Sequence, residues 1–196
     1  TYRQVAKLTA ADAAASDYFG ISVAIAGGTI VVGASGDDDG GSTSGSVYVF
    51  RTTDGGATYD QVAKLTASDG AAYDKFGISV AIDGDTIVIG AYRDYDLSYK
   101  SGAVYVFRTN DGGATWAQTE KLTASDAAAG DEFGISVAID GGTIVVGAQQ
   151  SSYYDVTRPQ GTRLQPAGPG VVYVFRTSDG GATYGQVAKL TAADGA

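Results

Sequence analysis

Short apolar runs separated by turn-forming residues recur along the chain, and this pattern predicts β-strands throughout. In the first cycle, apolar residues alternate from Gly20 to Ile25, and a continuous apolar run lies between Thr29 and Ala34. Further strands are predicted near Ser46 to Thr52 and Tyr59 to Thr66. We expect the apolar second strand to be buried on both faces and the more polar fourth strand to be the outermost.

Tight turns connect these strands. Asp83-Gly84-Asp85 and the corresponding Ala26-Gly27-Gly28 and Asp140-Gly141-Gly142 have the composition of short hairpin turns. Residues Thr53 to Thr58 predict another turn, between the third and fourth strands. No segment shows helical periodicity over ten residues. Four antiparallel strands ordered from inner to outer form the blade of a β-propeller, so the chain is predicted to be all-β.

The cycle occurs three times, which makes the chain a tandem repeat. Phe19 to Ile25 recurs at Phe76 to Ile82 and at Phe133 to Ile139, 57 residues later in each case. A period of this size indicates blades or arrays. We therefore divide the chain into a spare outer strand with a linker (residues 1–18), blade 1 (19–75), blade 2 (76–132) and blade 3 (133–196), which carries a loop insertion at residues 149–170.

Hydrophobic residues make up 44% of the chain, which is enough for a packed core. The alternation in the first and third strands, around an apolar second strand, indicates which side chains lie inside. We expect much of the core of blade 1 to come from Ile21, Val23, Ile25, Ile30, Val32, Val47 and Val49.

The composition excludes several kinds of chemistry. The chain has neither Cys nor His, so disulfide bonds, thiolate or histidine metal sites and Ser-His-Asp catalysis are excluded. The net charge of −9 disfavours binding to nucleic acids. No apolar run approaches 18 residues, so we expect no membrane span. The chain begins at Thr1 rather than Met, as expected of a mature product or a segment.

Phe19-Gly20, followed by Gly33-Ala34 and then by Val47 to Phe50, resembles the FG-GAP repeat, which forms the blades of integrin-type β-propellers on extracellular proteins. The resemblance implies three tandem four-stranded antiparallel blades and an extracellular or cell-surface location. Thr109 to Trp116 is similar to an Asp-box, a turn found on the blades of sialidase-like propellers. In that family the box is remote from the active site, so this likeness implies no glycosidase activity.

The acidic residues are candidate metal ligands. Integrin-type blades often carry a calcium loop between their first two strands, but the tight turn here has too few oxygens for the six to eight ligands of calcium. We therefore expect no metal site and no cofactor. Asp37, Asp38 and Asp39 are weaker candidates for a cation site. The alternative is a solvated acidic loop, because consecutive side chains point apart and the corresponding loop, Tyr92 to Asp96, is not expected to repeat the site.

Other charged residues recur in every cycle. Asp12 and Asp17 precede Phe19-Gly20, and their counterparts precede the other two Phe-Gly pairs. They either bind a cation or accept N–H bonds that fix the loop between blades. Asp54 and its counterparts are expected to fix the Asp-box turns. Arg51 and its counterparts either bind an anion or pair with an Asp at a blade edge.

The insertion at residues 149–170 is the most distinctive loop, because it holds all three prolines of the chain. Long structured loops often carry function, so we expect contact with a partner, and a surface loop without a role is the alternative. Thr157 and Thr162 lie near prolines and are candidate sites for O-linked sugars. The candidate partner-binding residues are Tyr153, Tyr154, Arg158 and Arg163.

One outer-strand segment is in excess, because residues 1–10 match residues 183–192 and three cycles contain four such segments. Three blades are also fewer than the four to eight of closed propellers, and an exposed apolar edge promotes association. We therefore expect neighbouring blades or chains to complete the fold, with Val5, Lys7 and Leu8 pairing across the contact. Head-to-tail contacts that do not close give filaments, and a six-blade homodimer is the closed alternative.

Three functions compete. The near-identical cycles favour an extracellular structural protein that associates with itself, because a scaffold repeats the same interface. The variable loops after Gly33, Gly90 and Gly147 favour instead an adhesion-type propeller that binds a protein or a glycan. A glycosidase needs a pair of carboxylates, but no acid stands in a cleft-like context of its own. We predict the structural protein, without enzymatic activity.

Overall fold

The computed structural model describes residues 3–151, 153–155, 162–165 and 167–193. These residues form three four-stranded antiparallel sheets, each of which is one blade. Blade 1 contains β1 (Ser22–Ala26), β2 (Thr29–Ala34), β3 (Ser46–Arg51) and β4 (Asp60–Leu65). Blade 2 contains β5 (Ser79–Asp83), β6 (Thr86–Ala91), β7 (Ala103–Arg108) and β8 (Ala117–Leu122). Blade 3 contains β9 (Phe133–Asp140), β10 (Thr143–Ala148), β13 (Val171–Arg176) and β14 (Gly185–Leu190).

The predicted all-β, propeller-like fold is confirmed, and the strands of blade 1 begin and end within two residues of their predicted limits. The insertion contributes a separate hairpin that was not predicted, β11 (Tyr153–Asp155) and β12 (Thr162–Gln165). Blade 3 therefore closes its sheet by pairing β10 directly with β13. Within the described ranges, no helix has the length and apolar character needed to cross a membrane.

The turn between the first two strands of each blade is as short as predicted. Between β5 and β6 it consists of Gly84 and Asp85, and Gly84 has a φ of 51°, a conformation that suits glycine. The calcium loop of integrin-type blades therefore has no counterpart at this position.

The blades stand side by side with their first strands adjacent, because β5 contacts both β1 and β9. We call the surface of a blade that faces the preceding blade its front face and the opposite surface its back face. In blade 2 the front face includes Phe76, Ile87, Ile89, Tyr105 and Phe107, and the back face includes Val88, Val104, Val106 and Leu122. Alternate residues of a strand point to opposite faces, so one apolar run supplies both.

Two junctions between blades form most of the core. The back face of blade 1 shares a buried cluster with the front face of blade 2, and the back face of blade 2 shares another with the front face of blade 3. All of β6 is buried as a result. In blade 1, for which burial of the second strand on both faces was predicted, Val31 and Val32 are buried but Ile30 is only partly buried.

The expected core of blade 1 needs a correction. Val32, Val47 and Val49 are buried as predicted, but Val23 is 66% exposed and its neighbours Ile21 and Ile25 are also exposed. Val80, the counterpart of Val23 in blade 2, is only 8% exposed because blade 1 covers it. The alternation correctly predicted that Val23 and Ile25 share one face of β1. They are exposed because the described chain places no blade in front of blade 1.

Candidate functional site

Three carboxylates converge on one ammonium group in blade 1. Lys64 on β4 places its Nζ 2.6 Å from Asp12, 3.1 Å from Asp37 and 2.5 Å from Asp39. Asp37 is buried, and it also accepts hydrogen bonds from the hydroxyls of Ser46, at 2.8 Å, and Tyr48, at 3.0 Å. Asp12 lies in the linker before blade 1, whereas the other partners lie in blade 1 itself. The cluster therefore ties the outer strand to the linker and to the loop after β2.

The electrostatics of the cluster favour the charged forms. Burial raises the pKa of Asp37, but hydrogen bonds from Ser46, from the Asp39 N–H and from Lys64 outweigh it and hold this pKa below the ordinary value. Burial opposes the charge on Lys64, but bonds to the carboxylates raise its pKa well above the ordinary value. Burial and the adjacent carboxylates raise the pKa of the Tyr48 hydroxyl, which therefore stays protonated and donates its bond.

Blade 2 repeats this cluster, which corrects the expectation that the second cycle lacks it. Lys121 contacts Asp69 at 2.7 Å, Asp94 at 2.9 Å and also Asp96. Asp94 and Asp96 follow Gly90-Ala91 at the same spacing as Asp37 and Asp39 follow Gly33-Ala34. The sequence thus contains the repeated pair of acids, but the pair is recognised only when the two loops are aligned on the strands that precede them.

Among the described side chains, blade 3 has a reduced version of the cluster. Lys189 contacts Asp126 at 2.5 Å, and Ser151 occupies the sequence position of the buried Asp37. Tyr173 donates its hydroxyl to Asp126 rather than to a buried carboxylate. The insertion begins here, so the loop that carries Asp37 and Asp39 in blade 1 has a different sequence in blade 3.

The metal candidates are resolved into different roles. In the described part of the chain, the oxygens of Asp12, Asp37 and Asp39 lie close enough together to hold a metal ion, and so do those of the blade 2 cluster. An ammonium group already occupies the centre of each cluster, at the place where a cation would be attracted. Asp38 points elsewhere and accepts an N–H bond from Thr43 at 2.6 Å. Its predicted divergence from its neighbours is correct, but Asp37 and Asp39 converge on Lys64 instead of pointing apart. Asp12, a candidate for cation binding or N–H acceptance, pairs with the Lys64 ammonium, and this lysine was not predicted as a partner.

The remaining repeated acids fix turns. Asp17, buried in the loop before blade 1, accepts the N–H of Ala14 at 2.7 Å, and its counterparts make the same bond. In the first Asp-box, Asp54 accepts bonds from Thr52, Ala57 and Thr58. The bonds from Thr58 and Thr52 lower the pKa of Asp54 well below its usual range. Both sets therefore have the turn-fixing role that was one of their predicted alternatives.

A Phe-Gly pair locks each junction between blades. Phe76-Gly77 at the start of blade 2 inserts against the back face of blade 1, where Ser22 donates its hydroxyl to the Gly77 carbonyl at 2.8 Å. A side chain at Gly33 would meet that carbonyl oxygen at 2.0 Å, so only glycine permits this approach. At the next junction Ser79 makes the same 2.8 Å bond to Gly134, and Gly90 has the same close contact.

Arginines also cross the junctions. A side chain added at Gly113, in the Asp-box turn of blade 2, would meet the Nε of Arg51 from blade 1 at 3.2 Å. Arg108 lies against Gly181 in the same way. Neither arginine forms an ion pair among the described residues, so the expected pairing with an Asp is wrong for both, and they act as packing elements instead. Arg176 of blade 3 is exposed.

The N-terminal segment lies against blade 1 of its own chain. Residues 3–10 form no strand, but Ala10 is buried with Tyr48 and Phe50 of the front face, and Leu8 packs against the same cluster. The Ala11 N–H donates to the Gln61 side chain at 3.0 Å, as Ser68 donates to Gln118 at the next blade. The segment therefore occupies the place that the end of a preceding outer strand takes at the internal junctions. Pairing of Val5, Lys7 and Leu8 with another chain stays a prediction.

The back face of blade 3 presents an open groove of about 520 Å³. Its lining includes Ser136, Gly147, Gly170, Leu190 and Ala192. Leu190 is 53% exposed, whereas its counterparts Leu65 and Leu122 are 4% and 3% exposed at the internal junctions. The groove therefore carries the residues of a blade junction without the blade that would cover them.

The partner-binding candidates of the insertion are only partly described. The backbones of Tyr154 and Arg163 are paired in the β11–β12 hairpin, and Tyr153 pairs with Gln165. Arg158 lies outside the described residues, as does the candidate glycosylation site Thr157. The structure thus brings three of the four candidates onto one hairpin outside the blades.

Comparisons with known proteins agree with this architecture. Residues 2–50, 59–107 and 116–175 each match the sequence profile of the FG-GAP repeat. No curated protein sequence matches the chain significantly. Saccharomyces cerevisiae Sqt1 has a similar structure, with a TM-score of 0.52 and 12% identity over 91% of this chain and 37% of that one. The periplasmic gluconolactonase PpgL of Pseudomonas aeruginosa matches with a TM-score of 0.44 and 14% identity, over 88% of this chain and 58% of that one. The likeness to Sqt1, a propeller protein, shows the fold alone.

Proposed function

Because the chain belongs to the FG-GAP repeat family, we propose that it is an extracellular structural protein whose copies associate head to tail through their blade faces. One observation carries this proposal. Both internal junctions are built from the same Ser, Gly and Phe-Gly positions, and the back face of blade 3 presents the Ser and Gly positions without a following Phe-Gly pair among the described residues. Interfaces that repeat from blade to blade are what a head-to-tail array requires.

The two terminal faces expose apolar surface that favours association. Val23 and Ile25 on the front of blade 1 are 66% and 63% exposed, and Leu190 on the back of blade 3 is 53% exposed. Contiguous apolar surface of this kind marks an interaction site. The front and back faces differ in their residues, so a contact between them is heterologous and leaves one face of each copy free to continue the array.

Sedimentation velocity over a range of protein concentrations tests the proposal. We expect species larger than the monomer to increase with concentration, either as a series of growing assemblies or as a closed dimer of six blades. A single monomeric species at every concentration up to the high micromolar range would refute self-association.

The proposal includes no enzymatic activity and no cofactor. In each acidic cluster the carboxylates share one lysine ammonium, which holds them in ion pairs and offsets part of their negative charge. A general acid or base needs a free carboxylate that can reach a substrate proton.

An adhesion-type propeller is the second candidate, and the β11–β12 hairpin favours it. The hairpin lies outside the blades and interrupts the repeat only in blade 3, where a binding surface would diverge. Binding of fluorescently labelled protein to an array of glycans tests this candidate. Specific binding that is lost when residues 152–166 are replaced by a short Gly-Ser linker would favour adhesion over a purely structural role.

A further inference from the structure

We infer that the groove on the back face of blade 3 is a socket for Phe19-Gly20 of a second copy of this chain, an inference that rests on the proposed head-to-tail association. The internal junctions show what such a socket holds. At the first junction, Phe76-Gly77 lies between Ser22 and Gly33 on one side and Gly45 on the other, where a side chain at Gly45 would meet the Phe76 carbonyl oxygen at 2.0 Å.

The groove on blade 3 has the same parts in the same places. Ser136 corresponds to Ser22 and Ser79, and Gly147 corresponds to Gly33 and Gly90. Gly170 corresponds to Gly45 and Gly102, and its φ of 78° is close to their values of 90° and 82°. Within the described residues, the three atoms nearest to a side chain at Gly147 all belong to Ser136, with its Oγ closest at 2.3 Å, and none belongs to a following blade. The socket is therefore built and open.

The matching Phe-Gly pair at the other end of the chain is already in its inserted shape. The ring of Phe19 packs edge-on against Tyr48 at 5.6 Å and Phe50 at 6.1 Å, as Phe76 packs against Tyr105 at 5.4 Å and Phe107 at 6.1 Å. Gly20 has a φ of 91°, identical to that of Gly134 at the second junction. Neither the Phe-Gly pair nor the socket has to be ordered when the two join. The contact does have to displace Leu8 and Ala10, which pack on the same front face of blade 1.

The expected contact between two copies repeats the contacts of the internal junctions. Ser136 of one copy donates its hydroxyl to the Gly20 carbonyl of the next, and the backbone of Gly20 passes over Gly147. Val23 of the second copy becomes buried, as Val80 is buried at the first junction. The partner is thus a second copy of the chain, presented with its blade 1 forward.

Two variants remove one side of the contact each. Ser136→Ala combined with Gly147→Ala places a methyl group in the socket and removes the hydroxyl that this methyl would otherwise meet, so the free chain keeps its fold. Val23→Asp places a charge on the surface that enters the socket, at a residue that is exposed in the free chain. We expect each variant to weaken association by about tenfold or more in sedimentation equilibrium.

Matched controls carry the same changes elsewhere. Gly185→Ala adds a methyl group on β14 where nothing lies within 4 Å among the described residues. Blade 2 already has an alanine, Ala117, at the corresponding position, so the fold accepts this side chain. Val187→Asp changes a valine that is 58% exposed. Its counterpart Val62 stays 38% exposed even though the next blade covers blade 1, so this position lies outside the contact between blades. Both controls should associate like the unchanged chain.

Mixing the two variants gives the decisive test. Each variant retains one working surface. At concentrations where each variant alone is monomeric, a mixture should therefore form a one-to-one heterodimer and nothing larger. A mixture that stays monomeric, or variants that associate as well as the unchanged chain, would overturn the socket while leaving self-association intact. If the unchanged chain is itself monomeric, the proposed function fails as well.

Discussion

A glycine without a special backbone conformation decides how closely two blades approach. Gly90 has no positive φ, yet a side chain there would meet the Gly134 carbonyl oxygen at 1.9 Å and the Ser79 Oγ at 2.3 Å. Gly147 has the same 2.3 Å contact with Ser136, but the described residues place no blade beyond it. We expect Gly90→Ala to reduce the free energy of unfolding by about 1–3 kcal/mol more than Gly147→Ala, because only the former separates two backbones. Urea denaturation of monomeric protein measures both, and equal losses would contradict the account of the junction.

Lys64 is a second residue whose effect the structure predicts. Lys64→Met leaves the buried Asp37 without its ammonium, and we expect a loss of about 2 kcal/mol at pH 7, below the value for a fully buried pair because Lys64 is partly exposed. Lys189→Met is the matched control, since Lys189 is more exposed and contacts one described carboxylate, and it should cost less than about 1 kcal/mol.

The pH dependence of the Lys64→Met loss follows from the lowered pKa of Asp37. A carboxyl group whose pKa is lower in the folded state than its ordinary 3.8 stabilises the fold above that value, and this contribution is lost as the pH falls through the folded-state pKa. The difference in the free energy of unfolding between the unchanged chain and Lys64→Met should therefore become smaller below about pH 4. Urea denaturation at pH 7 and at pH 3 checks this, and an unchanged difference would show that the lysine acts through packing.

At the scale of the element, outer strands that end in the same residues differ in stability because of what covers them. The Lys-Leu-Thr-Ala sequence that ends β8 buries Leu122, whereas the same sequence at the end of β14 leaves Leu190 exposed. We expect Leu122→Ala to cost about 2–5 kcal/mol and Leu190→Ala to change the free energy of unfolding by less than about 0.5 kcal/mol. Thermal unfolding at low concentration, where association is minimal, compares the two, and a large loss for Leu190→Ala would mean that the back face of blade 3 is covered.

At the scale of the whole molecule, the repeat made most of the fold predictable. Its period predicted the three blades, and turn chemistry at Asp83-Gly84-Asp85 predicted the short hairpins. The exposure of Val23 was not predictable from alternation, because alternation tells which side of a strand is apolar and not whether another blade covers it. The Lys64 cluster was missed for a related reason. Its four members come from distant parts of one cycle, and only the folded blade brings them together.

The N-terminal segment also affects how whole molecules join. Leu8 and Ala10 occupy on blade 1 the position that Leu190 and Ala192 of a second copy would need, and the two segments share the sequence Val-Ala-Lys-Leu-Thr-Ala. We expect deletion of residues 1–10 to strengthen association, because it removes this competitor. Sedimentation equilibrium of the shortened chain measures the change. Weaker association would show instead that residues 1–10 pair across the contact, as the sequence predicted.

The identity of these two segments has a kinetic consequence. When the C-terminal segment of one copy replaces the N-terminal segment of another, the new contacts equal the contacts that are lost. The association equilibrium is therefore set by the rest of the interface, whereas the association rate is limited by release of the resident segment. Association should then be slow. Its rate should stop increasing above a certain protein concentration, because release of the resident segment becomes the limiting step, as in an exchange reaction. The protein would thereby remain dispersed after folding for a period that its own first ten residues determine.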